Sequence, residues 1–323
     1  MKKNRLVSLE PAAQGANSRV FKMTMGDKQR FAVKTYPVIT GDKRRRAGTE
    51  FKSLDFLWKN GMREIARPYF TDSQAGIAVF EYIEGHRLEK NQIKASDIKQ
   101  AADFFVSLQK LRPKARLAGF SDASEACFSI REYRLNLKRR WERLKKVRNR
   151  HLQDFLNGKI QKVYSQLDSY VDRRLAEGKV NPSTQIPLKD RILSPSDAGF
   201  HNILKTKNDR LVFIDFEYFG WDDPVKLLSD FSLQPDRPLP VAKVPFFIAQ
   251  WTQKMNNKKD ITLRFPVVCP ILCFKWILIL LNPFLPERRK SSRSVLARQL
   301  GKSALLVTAL TNRLKNQVFD TWI

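Results

Sequence analysis

The chain is poor in cysteine. Three occur in 323 residues, Cys127, Cys269 and Cys273, too few and too scattered for a disulfide framework. Cys269 and Cys273 lie one helical turn apart in an apolar run, with no nearby histidine to complete a zinc set. They read as buried apolar residues. The pattern suits a reducing compartment, and a cytoplasmic location is expected. The first ten residues, MKKNRLVSLE, are basic but lack an apolar core, so no secretory signal is expected there. There is no internal repeat and no low-complexity segment, which argues against a solenoid or a disordered chain.

Long apolar runs are also scarce. The nearest to a membrane span is 264–286, RFPVVCPILCFKWILILLNPFLP. Lys275 falls in its middle, where insertion costs about 2.5–3.5 kcal/mol. Pro266, Pro270, Pro283 and Pro286 punctuate it. A buried core helix is expected instead.

Acidic residues are the third shortage. Thirty-two Asp and Glu face sixty Lys and Arg, a net charge of +28. Such a field attracts nucleic acid, anionic membrane or negatively charged substrates. No base-reading motif accompanies the basic run at 138–150, which argues against nucleic acid. Peripheral association with an anionic membrane stays open.

What is present is enough to fold: 42% of residues are apolar and 11% aromatic. RLVSLE, RVFKMTM and QRFAVKTY are short β-type runs separated by turn residues. Residues 42–60, DKRRRAGTEFKSLDFLWKN, are amphipathic at helical spacing and end at Asn60-Gly61. Two more strands are expected near 65–71 and 75–83. Beyond Glu84-Gly85 the chain turns helical, at 96–112 and through a basic stretch at 128–176. There Tyr133, Leu137, Trp141, Leu144 and Val147 form one stripe, read as the inward face of a surface helix. A strand–loop–strand unit follows, then helices from 224 onward. The expected architecture is α+β and two-lobed. Residues 1–83 form a small, largely antiparallel sheet with one helix, and 84–323 form a larger, mostly helical lobe.

Five side chains need a joint explanation. Lys34 sits on an apolar strand and Glu50 on the helix that follows. Asp197 and Asn202 lie five apart in the turn-rich stretch LSPSDAGFHNIL, and Asp215 lies inside VFIDFEY, which otherwise reads as an interior strand. Taken singly, Lys34 and Glu50 are an ordinary ion pair, and Asp197 and Asn202 are turn or cap residues. Asp215 is harder to dismiss, because a buried carboxylate is costly without compensation. Phosphoryl transfer from a nucleotide needs such a set. A lysine neutralises phosphates and a glutamate holds the lysine. Asn202 Oδ1 and the Asp215 carboxylate are hard ligands for Mg2+. Asp197 is the candidate catalytic acceptor of the attacking hydroxyl's proton.

These residues resemble the aminoglycoside phosphotransferase and choline kinase family, which shares the protein-kinase-like fold, over roughly residues 10–235. SPSDAGFHN stands where that family has a His-Gly-Asp-x4-Asn signature, and IDFEY with GWDDP where it has the metal-binding Asp and a Gly-x-x-Asp-Pro tail. FAVKTY resembles its nucleotide-lysine strand, TEFKSLDFL its glutamate helix and FEYIEG its adenine linker. The resemblance implies ATP and Mg2+ as cofactors and a small-molecule hydroxyl acceptor. It places the Glu81 carbonyl and Ile83 amide against adenine, with Phe80 behind them. Gly15, Asn17 and Ser18, in QGANSRVF, would then offer donors to phosphate. Pro195 and Ser196 stand in for the usual histidine and glycine, so loop geometry is where this chain departs. Leu227 replaces a common aspartate, with Asp230 nearby to take its structural role. The net charge favours a neutral or anionic acceptor, such as a sugar or envelope-glycan precursor. Asp222, Asp223 and Glu217 are the residues that could instead form a local acidic rim. The competing reading is a catalytically impaired, nucleotide-binding or scaffold protein on the same fold. A protein kinase is disfavoured, because Asp-Asp-Pro follows Asp215 within eight residues and leaves no activation segment.

Overall fold

The computed structural model describes residues 5–15, 18–37, 45–287 and 291–323. The chain divides into two compact units. The first comprises Met1–Glu125 and Leu193–Trp221, and the second Ala126–Ile192 and Asp222–Ile323. These bounds differ from the division near residue 84 read from the sequence.

The first unit opens with strands β1 (Leu6–Gln14), β2 (Arg19–Met25) and β3 (Arg30–Thr35), then helix α1 (Arg46–Lys59), then β4 (Pro68–Asp72) and β5 (Ile77–Glu81). The five strands form one antiparallel sheet in the order β1-β2-β3-β5-β4. This is the strand and helix order expected from the turn residues, with β1 running four residues past RLVSLE. Helix α1 buries Arg46, Ala47, Glu50, Ser53, Leu54 and Leu57, a stripe at helical spacing that carries two charges inward. Next come β6 (Gly85–His86), α2 (Ala95–Lys110) and α3 (Arg112–Leu117). After the intervening second-unit segment the chain supplies β7 (Ile192–Ser194), β8 (Ile203–Thr206), β9 (Leu211–Phe213) and β10 (Gly220–Asp222). Strands β8 and β9 form a hairpin whose register pairs Ile203 with Phe213.

The second unit is helical: α4 (Ile130–Lys145), α5 (Arg150–Phe155), α6 (Gln161–Gly178), α7 (Pro224–Leu233), α8 (Val244–Thr252), α9 (Lys258–Leu280) and α10 (Arg293–Lys315). Tyr133, Leu137, Trp141 and Leu144 do face inward, as their spacing requires, whereas Val147 lies past the end of α4 and is only half-buried. Helix α9 is the hub, packing against α4, α6, α7 and α10. It is long and apolar enough to cross a membrane, yet most of its apolar stretch is buried inside the fold. It also runs unbroken through Pro266 and Pro270, which the sequence suggested as interruptions. Packing on several sides offsets the lost backbone hydrogen bonds.

The charges of GWDDP are structural. Asp223 caps α7 by accepting from Val225 N at 2.8 Å. Arg264 grips its two oxygens at 3.0 and 2.6 Å, and the Tyr133 hydroxyl donates to it at 2.9 Å. Asp222 and Asp230 flank the buried Lys226 ammonium at 2.9 and 3.1 Å. Asp230 also accepts from Trp276 Nε1 at 3.0 Å. Asp222 and Asp223 are fully buried and ion-paired, so they form no acidic rim. A buried carboxylate is kept only with partners of this kind.

Candidate active site

Every described residue of the proposed chemistry lies in the first unit. Lys34 is the centre. Its Nζ donates to Glu50 Oε2 at 2.7 Å and to Asp215 Oδ1 at 2.6 Å, partners 16 and 181 positions away. The lysine and glutamate side chains are 8% and 4% exposed, whereas Asp215 is 31% exposed. Tyr36, two residues past Lys34 on the same side of the extended chain, donates its hydroxyl to Glu50 Oε2. Burial opposes the Lys34 charge, but Asp215 and then Glu50 outweigh it and hold the ammonium well above its ordinary pKa. Burial pushes the Glu50 carboxyl up, against the pull of Lys34.

The expectation that Asp215 sits inside a strand needs correction. Strand β9 ends at Phe213, and Asp215 takes a left-handed backbone with φ 70°. The aromatic neighbours supply the reason. Phe213 and Phe216 are both buried, Phe213 stacking on Phe104 of α2 at 3.7 Å between centroids and Phe216 meeting the same ring edge-on. Positions three apart on a strand face opposite sides, so the chain must turn between them. The turn falls on Asp215 and brings its carboxylate to Lys34 and partly into solvent. A non-glycine residue in this region costs about 1–3 kcal/mol and is typical of functional sites.

The turn also brings up Glu217, which the sequence reading had only as a rim residue. Carboxylate oxygens of Glu50, Asp215 and Glu217 lie within 4.8 Å of one another. Glu217 is buried, with Arg46 Nε 3.7 Å from its Oε1. Burial and then Asp215 raise its pKa to about 7. Its spacing of two from Asp215 was the available signal.

Asn202 sits at the neighbouring end of the β8–β9 hairpin. Its carbonyl accepts from Ile214 N at 3.0 Å, tying it to the residue before Asp215. Its Nδ2 donates to the Asp197 main-chain carbonyl at 3.0 Å. A carbonyl can only accept, so the amide orientation is settled and Oδ1 is left as the free acceptor. The clustered carboxylates of Glu50, Asp215 and Glu217 are hard oxygen donors of the kind Mg2+ takes, and Asn202 offers a further amide oxygen on the adjoining hairpin.

The loop holding Asp197 resolves the departure at Pro195 and Ser196. Ser196 takes the left-handed φ of 68° that glycine adopts freely. Its amide donates to Ser194 Oγ at 2.9 Å and its hydroxyl to the Ser124 carbonyl at 2.7 Å. Two hydrogen bonds thus offset the strain, and the loop is held without the usual His-Gly pair.

The residues expected to meet nucleotide lie between β1 and β2 and at the end of β5. Gly15 N donates to Ser18 O at 2.9 Å in the turn between β1 and β2, and Ser18 is buried. Asn17 lies outside the described residues. Phe80 is buried in β5, Glu81 ends that strand with its amide bonded to Arg67 O at 2.8 Å, and Ile83 is half-buried just beyond.

The chain matches the phosphotransferase enzyme family over residues 8–226. It belongs to that family. Its structural relatives include choline kinase LicA from Streptococcus pneumoniae, at 17% identity and TM-score 0.60, each chain 94% covered. A choline/ethanolamine kinase family protein from Mesorhizobium loti gives 16% identity and TM-score 0.62, covering 98% of this chain and 93% of that one. Aminoglycoside phosphotransferase APH(2'')-Ib, ADP-bound, gives 14% and 0.57, with 95% of each chain covered. At these identities the likeness establishes the fold of this phosphotransferase, the α+β kinase-like architecture expected from its motifs. No curated protein sequence matches the chain.

Two outcomes test the geometry. Ser196→Val should destabilise the protein by at least about 2 kcal/mol in urea titration, because a β-branched residue resists positive φ. Ser196→Gly should stay within about 1 kcal/mol, since freedom at φ offsets the lost hydroxyl bond. Glu217 tests the charge cluster. Its folded pKa lies above its ordinary 4.5, so the folded state holds the extra proton and stability falls as pH rises from about 4.5 to 7. In metal-free buffer, Glu217→Gln should match the wild type in thermal unfolding near pH 4.5 and exceed it at pH 8, by up to about 3 kcal/mol.

Proposed function

We propose that this phosphotransferase moves the γ-phosphoryl group of ATP to a hydroxyl of a small molecule, using Mg2+. The observation that carries the reading is the convergence of Glu50 and Asp215 on the buried Lys34 ammonium. Lys34 would neutralise phosphate oxygens, with Glu50 and Tyr36 keeping it in place. Asn202, Asp215 and Glu217 would hold Mg2+, whose charge would stabilise the transferring group. Asp197 would accept the proton of the attacking hydroxyl. Gly15 and Ser18 would meet phosphate, and the Phe80–Ile83 segment the adenine. ATP is favoured over other donors because relatives are named with AMP or ADP bound.

Relatives are named for choline, ethanolamine and aminoglycosides, all cationic. Cationic acceptors call for acidic or aromatic pockets. Here Asp222 and Asp223 are consumed by Lys226, Arg264 and Tyr133, and Glu217 is buried beside Arg46. With a net charge of +28 besides, a neutral or anionic acceptor fits better, such as a sugar or an envelope-glycan precursor.

The test is phosphate transfer from labelled ATP to sugars, amino alcohols and aminoglycosides in parallel. Transfer to an uncharged or anionic sugar is expected, and preference for the amino compounds would reverse the acceptor assignment. Asp197→Ala should lose at least about a hundredfold in turnover while ATP affinity stays within a few-fold. Unchanged turnover would remove Asp197 from the chemistry.

A further inference from the structure

The loop that carries Asp197 and Asn202 holds one more polar side chain, His201, to which the phosphotransfer scheme assigns nothing. The turn Phe200–Asn202 is a short 3-10 helix anchored by Phe200, which is fully buried. Asp197 and His201 are four residues apart, and the turn sets them side by side. His201 Nε2 lies 3.2 Å from Asp197 Oδ1. Both ring nitrogens are shielded from solvent, and neither has a well-aligned hydrogen-bond partner among the described residues. The approach to Asp197 is therefore within hydrogen-bond distance but off-line, a geometry common before substrate binds. Leaving a buried ring nitrogen unmet costs about 1–3 kcal/mol, and Asp197 is the acceptor within reach.

The carboxylate has little else to hold it. Asn202 Nδ2 is 3.5 Å from Asp197 Oδ2, because its good bond, at 3.0 Å, goes to the main-chain carbonyl. The Asp197 side chain is 29% exposed, so the carboxylate can be reached from solvent. Pro195 occupies the place of the histidine that usually precedes this aspartate, and it has no donor to offer.

We propose that His201 is a positioning residue for phosphoryl transfer. It donates Nε2–H to Asp197 Oδ1 and so keeps Oδ2 turned toward the acceptor's hydroxyl proton. This rests on the assignment of Asp197 as the proton acceptor. His201 itself neither gains nor loses a proton. A misdirected base slows the chemical step and leaves nucleotide binding alone.

The acceptor is not needed for the test, since water serves as a slow one. Phosphate release from ATP with Mg2+ is measured for the wild type, His201→Leu, His201→Gln and Asp197→Ala. His201→Leu should lower kcat at least about tenfold with KM for ATP within about twofold. His201→Gln, whose amide can donate from near the Nε2 position, should recover most of the rate. Full activity in His201→Leu with an inactive Asp197→Ala overturns the inference and leaves the base assignment standing. Full activity in Asp197→Ala overturns the assignment, and the inference with it. Nitrogen-15 NMR of histidine-labelled protein decides independently of turnover, with only His86, His151 and His201 to resolve. A proton on Nε2 of His201, its signal shifted in Asp197→Ala, is expected. A bare Nε2 with the proton on Nδ1 overturns the inference.

Discussion

The arrangement depends on one buried ammonium. Lys34 is almost wholly removed from water, and an unpaired charge there would be prohibitive. It is tolerated because two carboxylates meet it, one from α1 and one from the turn after β9. Each contact reports on a different part of the chain. Glu50 reaches Lys34 only if α1 packs on the sheet in the right rotation. Asp215 reaches it only if the chain leaves β9 through a left-handed residue. Removing either acid leaves the other alone against the charge, so strand, helix and turn form one electrostatic unit. Three carboxylates lie within 4.8 Å of one another, with Lys34 between two of them and Arg46 3.7 Å from the third. Burial first, and then Asp215, raises the pKa of Glu217.

Much of this was legible beforehand. The five-stranded antiparallel sheet with one helix followed from short β-type runs and turn residues, and Lys34 and Glu50 were paired because a lysine on a half-buried strand calls for a carboxylate that the adjacent helix can supply. What escaped was whatever depended on packing. Asp215 looked like strand interior because VFIDF is apolar on both sides, and only burial of both Phe213 and Phe216 on α2 forces the turn. Tyr36 was passed over because a tyrosine near a strand end is usually plain core. The acids of GWDDP looked available because sequence does not show that Arg264, some 41 positions away, grips Asp223. Pro266 and Pro270 looked like breaks because local rules do not see how deeply α9 is enclosed.

The loop from Ser194 to Asn202 shows how a loop conformation can be held without the usual residues. A histidine and a glycine are missing from their usual places. Ser196 accepts the glycine's backbone conformation with two hydrogen bonds as compensation, and a different histidine lies beside the aspartate from the other end of the loop. The likeness to choline kinases and aminoglycoside phosphotransferases establishes the fold and leaves the acceptor to be read from side chains.

The central claim is that Asp215 belongs to a metal-dependent nucleotide site organised around Lys34. Calorimetric affinity for ATP, with Mg2+ and in chelator, on the wild type and on Asp215→Ala, tests it most directly. Mg2+ should tighten ATP binding to the wild type by about tenfold or more, roughly 1.4 kcal/mol, and the variant should lose that gain. Binding indifferent to Mg2+ in the wild type, or a gain that survives in the variant, would contradict the account.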